Sequence, residues 1–204
     1  MKKYIVRLAQ ERLNDLGSSL VVDGLWGARS QAAYNTHAPS SVGGDSSPFA
    51  KAMVIIALGE VGVEEVNGTN TGKRVEEYQA ADWLGGTGYP WCASFVCWVY
   101  REALTAVTSH PSAKRPRTAR AFGFENWAKE NKLPLAKPVS GSDTIKAGDI
   151  VIFKRSHIGI AVEDSDDGYV RTVEGNTNSM GSREGGGVFR KNRKISKIRS
   201  TIRM

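Results

Sequence analysis

Two cysteines and three histidines limit the thiol chemistry that this 204-residue chain could carry. Cys92 stands in Gly88-Tyr89-Pro90-Trp91-Cys92-Ala93-Ser94-Phe95-Val96-Cys97, where Pro90 precedes an apolar run of helical length. The fixed φ of proline favours a helix start, so the pattern predicts a helix over 91–104 with Cys92 in its first turn. Unpaired backbone N–H groups and the positive end of the helix dipole would stabilise a thiolate there. A cysteine so placed is suited to attack a carbonyl. Cys97 lies among Phe95, Val96, Trp98 and Val99 and reads as a small buried hydrophobe. The two cannot form a disulfide within one helix, since five positions rise roughly 7.5 Å, beyond the usual reach.

A thiol nucleophile needs a base, and the base needs a group to orient it. His37 adjoins a stretch rich in Ser, Gly and Pro, and His110 sits beside Pro111 in a polar segment. His157 instead begins an apolar run of β-formers, with Gly159 and Ala161 following on its face at spacing two. These small neighbours would leave room for a helix end to approach. Folding 158–162 back through a turn at 164–168 brings the end of the next strand, Val173-Glu174-Gly175-Asn176-Thr177-Asn178, alongside His157. Glu174 or Asn176 could then accept the imidazole N–H, the orienting role of a triad.

The elements that must position these residues follow from periodicity. Residues 4–17 form an amphipathic helix ended by Gly17, followed by a compact Val22-Asp23-Gly24-Leu25-Trp26-Gly27 turn and a short helix over 28–34. Residues 38–48 read as a linker. Helices are expected over 49–60 and 72–81, then the cysteine helix, an exposed basic loop at 108–120, and a short helix over 121–131. Residues 134–142 read as irregular. From Lys146 the period changes, with strands at 148–153, 158–162 and 169–174 and a basic edge strand in the tail at 194–204. Helices first and strands later indicate an α+β fold with an antiparallel sheet.

Composition sets the outer bounds. An apolar content of 40% with five tryptophans can fill a core, and two cysteines do not make a disulfide scaffold. No apolar run approaches the roughly 18 residues of a membrane span. Met1-Lys2-Lys3 opens like a signal peptide, but Arg7, Gln10, Glu11 and Arg12 interrupt any apolar core, so synthesis in the cytoplasm is expected. The net charge of +7 suits an anionic partner. The basic clusters at 114–120 and 190–203 lack the interleaved aromatics of a single-strand binder, and no nucleic-acid partner is expected.

Two resemblances complete the reading. Residues 1–37 resemble the first part of small helical peptidoglycan-binding domains, whose pattern is a leucine-bearing helix, Asp-Gly-x-Phe/Trp-Gly and a helix of small residues. The motifs Pro90-Trp91-Cys92-Ala93-Ser94-Phe95-Val96, Gly148-Asp149-Ile150-Val151-Ile152-Phe153, Ser156-His157-Ile158-Gly159-Ile160-Ala161-Val162-Glu163 and Val173-Glu174-Gly175-Asn176-Thr177 resemble the cysteine, histidine-dependent amidohydrolase/peptidase (CHAP) family. That family groups papain-like wall hydrolases common in phage endolysins. The resemblance implies a papain-like domain over 49–204 with Cys92 as nucleophile, His157 as base, Glu174 as its orienter and Asn176 at a further polar active-site position. It also implies hydrolysis of a peptidoglycan amide, either between muramic acid and L-alanine or within the stem peptide. Asp23, Trp26 and Trp91 are the candidate wall-binding residues, anionic envelope polymers are possible further partners, and a monomer is expected. Some relatives carry acidic calcium ligands ahead of the cysteine; Trp83-Leu84-Gly85-Gly86-Thr87-Gly88 stands there instead, so neither metal nor cofactor is expected. A phage-type endolysin, held in the host cytoplasm until release, fits these features best. The alternatives are a secreted antibacterial effector of the same chemistry and a non-catalytic wall-binding protein.

Overall fold

The computed structural model describes residues 6–7, 10–11, 13–14, 17–25, 27–37, 46–107, 112–138, 145–182 and 184–204. Helices come first: α1 (Ala28–His37), α2 (Pro48–Gly59), α3 (Lys73–Gln79), α4 (Cys92–Ala106) and α5 (Gly123–Glu130). Strands follow: β1 (Leu135–Ala136), β2 (Ile150–Phe153), β3 (His157–Ala161), β4 (Tyr169–Thr177), β5 (Gly187–Lys194) and β6 (Ile198–Ile202). They form one six-stranded sheet in the order β1-β6-β2-β3-β4-β5, and each neighbouring pair is antiparallel. The α+β expectation holds.

The helix α4 is central because every residue from Cys92 to Tyr100 is buried. A helix apolar on all sides needs partners on all sides, and α2, α3, β3 and β4 supply them. Ser47 caps α2 by accepting a bond from Ala50 N at 3.0 Å, with Pro48 at the first helical position. Tyr78 of α3 seats the cysteine helix: its ring lies 5.4 Å from Trp91, 5.3 Å from Phe95 and 5.2 Å from Trp98. Its hydroxyl donates to buried Glu60 at 2.5 Å, and Arg74 forks onto the same carboxylate at 2.6 and 2.7 Å while covering Trp98. Tyr78 thus joins α2, α3 and α4 through one satisfied polar cluster in an otherwise apolar interior. The reverse face of the sheet carries a smaller apolar cluster that includes Val151, Phe153, Ala161, Val170 and Ile195.

Several boundaries differ from expectation. The cysteine helix starts one residue later than expected, with Trp91 as its N-cap. The tail is not an edge strand: β6 lies between β1 and β2, and all but one of its residues are buried. The edges are β1 and β5, and the charged sequence Arg190-Lys191-Asn192-Arg193-Lys194 masked the strand character of β5. The two-residue β1 falls in the stretch read as irregular. The basic segment is also less exposed than expected. Residues 108–111 lie outside the described residues, but Ala113 and Pro116 are buried. Trp127 Nε1 donates to Lys114 O at 2.7 Å, and Cys97 Sγ reaches Thr118 O at 3.5 Å, pinning the segment to α4 and α5.

In the N-terminal segment, Gln10 is buried and donates to Asp23 Oδ1, Leu25 O and Ser30 Oγ at 2.9, 3.0 and 3.1 Å, while accepting from Gly24 N at 2.9 Å. One amide therefore organises the Asp-Gly turn. Leu13 lies in the main apolar cluster, with Leu20 and Ala33 packed against it. Trp26 and most of the expected linker, residues 38–45, lie outside the described residues.

Candidate active site

Cys92 occupies the first position of α4 and is 8% exposed. At that position its backbone N–H has no acceptor within the helix. His157 opens β3 and is 3% exposed. Its Nε2 lies 2.9 Å from Glu174 Oε2, and its ring stacks on Phe153 with centroids 5.8 Å apart. The other nitrogen, Nδ1, is buried and has no hydrogen-bond partner of regular geometry. With Nε2 committed to Glu174, Nδ1 is the nitrogen left for the thiol. Burial opposes charge on the ring, but hydrogen bonding to Cys92 and then to Glu174 outweighs it, raising the His157 pKa to about 9.

Glu174 is wholly buried and held from three directions. Thr172 Oγ1 donates to Oε1 at 2.5 Å, Arg193 Nε donates to Oε1 at 2.8 Å, and Arg193 Nη2 donates to Oε2 beside His157. Burial would raise this carboxyl, yet hydrogen bonds from Arg193 and His157 pull it down to about 2. Room for the side chain comes from Gly159: a Cβ there would stand 2.6 Å from Glu174 Cγ. The small residue on the histidine's face therefore admits the carboxylate, and not a helix end as the spacing suggested. The helix approaches from the other face, over Gly175, where a Cβ would stand 2.7 Å from Trp91 Cζ3 and 2.8 Å from Phe95 Cβ.

Asn176 does a different job. Its Oδ1 accepts from Trp91 N at 3.1 Å, and its Nδ2 donates to Asn70 Oδ1 and Gly185 O, both at 3.0 Å. Strict alternation would put Glu174 and Asn176 on one face. The register of β4 shifts between Glu174 and Thr177, and Asn176 takes a φ of +55°. This bulge turns Asn176 toward the start of α4, so Glu174 holds the histidine while Asn176 holds the backbone just before the cysteine.

The remaining candidates separate as well. Trp91, expected to contact the wall, is fully buried; its ring stacks on Tyr78 and its Nε1 donates to Glu65 Oε2 at 3.0 Å. It is core, because the chain entering α4 must bury its apolar side against α3. Asp23 Oδ1 accepts from Leu25 N at 2.8 Å and from Gln10, which fixes the turn. Cys97 is wholly buried, and burial pushes its thiol up to about 12. Arg193 was invisible in the sequence reading because its strand was not recognised. Thr172 could have been found from its spacing of two from Glu174. Asp82 was likewise missed: Ser94 in the first turn of α4 donates to its Oδ2 at 2.5 Å, and its Oδ1 accepts from Leu84 N at 2.7 Å.

Two grooves flank Pro90, and one of them contains the cysteine. One, of about 680 Å³, is lined by Trp83, Pro90, Cys92, Thr118, Asn126 and Ser156 among others. The second, of about 600 Å³, is lined by Glu65, Asn70, Pro90, Asn176 and Glu184 among others. Pro90 and Glu184 belong to both. Among the described residues, no group of three or more His, Cys, Asp or Glu side chains is arranged to hold a metal ion.

A cysteine at a helix start facing a histidine at a strand start, on a helix-then-antiparallel-sheet fold, is the layout of the papain-like class. Residues 84–176 match the CHAP domain, a span from just after Trp83 through Asn176. The match places a CHAP domain, the domain of a family of peptidoglycan amidohydrolases and peptidases, in this part of the chain. No curated protein matches the chain.

Proposed function

We propose that this protein hydrolyses an amide bond of bacterial peptidoglycan by a thiol mechanism, in the manner of an endolysin. The observation that carries this reading is the buried Cys92–His157–Glu174 relay, in which Nε2 is fixed by the carboxylate and Nδ1 is left for the thiol. Cys92 Sγ attacks the scissile carbonyl carbon while His157 takes the thiol proton. The unpartnered Cys92 N–H meets the oxyanion. His157 then gives its proton to the departing amine nitrogen, leaving a thioester. It next accepts a proton from the water that attacks the thioester, and the acid product leaves with the thiol restored. Ionised Glu174 stabilises the imidazolium in both halves, and Arg193 keeps Glu174 ionised.

Residues 1–37 serve as a wall-binding hairpin, supported by the exposed apolar side chains of Val21 and Leu25 beside the Asp23 turn. Residues 38–48 link the hairpin to a catalytic domain over 49–204. The protein is made in the host cytoplasm and acts on the wall after release.

Mass spectrometry of fragments released from purified peptidoglycan tests the reading. Wild type should release fragments with newly exposed amine and carboxyl ends, and Cys92→Ala should release none while keeping its circular dichroism spectrum. Comparable release by Cys92→Ala would end the thiol mechanism. In that inactive background, Trp26→Ala should sediment less with insoluble walls. Unchanged sedimentation would remove the hairpin's binding role.

A further inference from the structure

Trp83 is the one exposed tryptophan among the four described, 55% accessible where Trp91, Trp98 and Trp127 are 0, 4 and 8%. Among the described residues its ring meets no other aromatic ring, and its indole N–H makes no hydrogen bond. Exposing so large an apolar ring forgoes its burial energy, yet the backbone that carries it is anchored. Asp82, immediately before it, is 4% exposed and ties the loop to the cysteine helix through Ser94, to Leu84 N, and to the Tyr89 hydroxyl at 3.3 Å. The ring consequently stands on a fixed base, lining the groove that contains Cys92. Around it the groove offers hydroxyl, amide and guanidinium groups from Thr118, Ser156, Asn126 and Arg120.

We infer that Trp83 is a sugar platform, which holds the muramic-acid side of the substrate so that the bond presented to Cys92 is its lactyl–alanine amide. This rests on the peptidoglycan-hydrolase reading above and narrows it. The chemistry of the polymer makes the choice. Stem peptides are built from alanine, an acidic residue and a diamino acid, none with an apolar surface comparable to an indole ring. The C–H face of a pyranose is such a surface, and its hydroxyl and acetamido groups suit the ring of polar side chains around Trp83. The groove on the other side of Pro90 is lined by Glu64, Glu65 and Asn70, with Glu184 shared between the two grooves. These carboxylates and the amide suit the ammonium and amides of a peptide, so the two grooves, which share Pro90 just before Cys92, would take the two sides of the bond cleaved.

The test uses the full-length enzyme with a soluble disaccharide–tetrapeptide and with purified walls. Wild type should release the intact free peptide and a disaccharide ending in a free lactyl carboxyl group. Trp83→Ala should raise KM for the disaccharide–peptide about tenfold, the scale of one lost ring contact, with kcat within about twofold. Trp83→Phe should recover most of the loss. In a Cys92→Ala background the peptide-free disaccharide should quench indole fluorescence, and Trp83→Ala should remove the quenching. Unchanged KM in a folded Trp83→Ala variant, or cleavage within the stem peptide, overturns the platform and leaves the hydrolase reading standing. A wild-type enzyme inert on both substrates overturns the hydrolase reading itself and the platform with it.

Discussion

A single methyl group on β3 should disable the site without replacing any ionisable residue. In Gly159→Ala the new Cβ would lie 2.6 Å from Glu174 Cγ and 2.9 Å from Val173 O. Ordinary carbon contacts sit at about 3.5–4.0 Å, so relief needs a displacement of about 1 Å. The backbone oxygen is fixed in the ladder, and the Glu174 side chain cannot yield freely because Thr172, Arg193 and His157 all hold its carboxylate. Overpacking of this kind costs about 1–3 kcal/mol of stability. A displacement of about 1 Å in a positioning group costs about a hundredfold in turnover. Both should be read from purified Gly159→Ala, the first by urea unfolding and the second by fragment release from walls at a temperature where the variant is folded. The histidine titration followed by NMR supplies the specific signature. It should fall from about 9 toward the ordinary 6.5 as the carboxylate moves away. A variant with near wild-type turnover and an unmoved His157 titration would refute the argument that Gly159 exists to admit Glu174.

Two further predictions follow from the same geometry. Asn176→Ala should strand the buried Trp91 N–H and lose about 1–3 kcal/mol, with the His157 titration little changed, whereas Glu174→Gln should shift that titration downward at smaller cost to the α4 start. If Asn176→Ala moves His157 more than Glu174→Gln does, the division of labour between them is wrong. Stability should also fall on both sides of a plateau. Charged His157 contributes fully below its unfolded value of 6.5 and loses that contribution as pH rises through about 9. Ionised Glu174 contributes above 4.5 and loses it as pH falls toward 2. Urea midpoints measured across this range should show the alkaline arm moving to lower pH in Cys92→Ala, which removes one bond that raises His157. An alkaline arm identical in wild type, Cys92→Ala and Glu174→Gln would count against the coupling.

The sequence was most legible where local chemistry and tertiary demand agree. Pro90 sets the start of α4, and the apolar run after it leaves little choice but a buried helix. The β3–β4 hairpin, which brings Glu174 to His157, follows from two apolar strands and the turn between them. What was not legible depends on departures from period. Glu174 and Asn176 have the same spacing as any two residues on one strand face, and only a bulge with a left-handed Asn176 sends them to different partners. Gly159 fits two readings equally well until the side chain that crosses it is known. Trp91 was misread for a related reason: an aromatic ring beside a nucleophile can face the substrate or the core, and the stacking of Tyr78 decides. Arg193 was out of reach because β5 is too highly charged to look like a strand.

That charge has a consequence for how the protein behaves in company. Among the described residues, 62–65 cover the start of β5, through Gly62 N to Val188 O, Val188 N to Val63 O and the Glu64–Gly187 bridge. Beyond Val188 the strand forms an outer margin of the sheet, a ready template for another chain to extend by backbone pairing. Arg190, Lys191 and Lys194 stand along that margin, with Arg190 paired to Glu163 at 3.2 Å and Arg193 turned in to Glu174. A second copy arriving there would set like charges against like at the spacing of paired strands, where direct opposition is repulsive. The basic residues of β5 would thus disfavour edge-to-edge joining of concentrated molecules, a role separate from any attraction to an anionic partner.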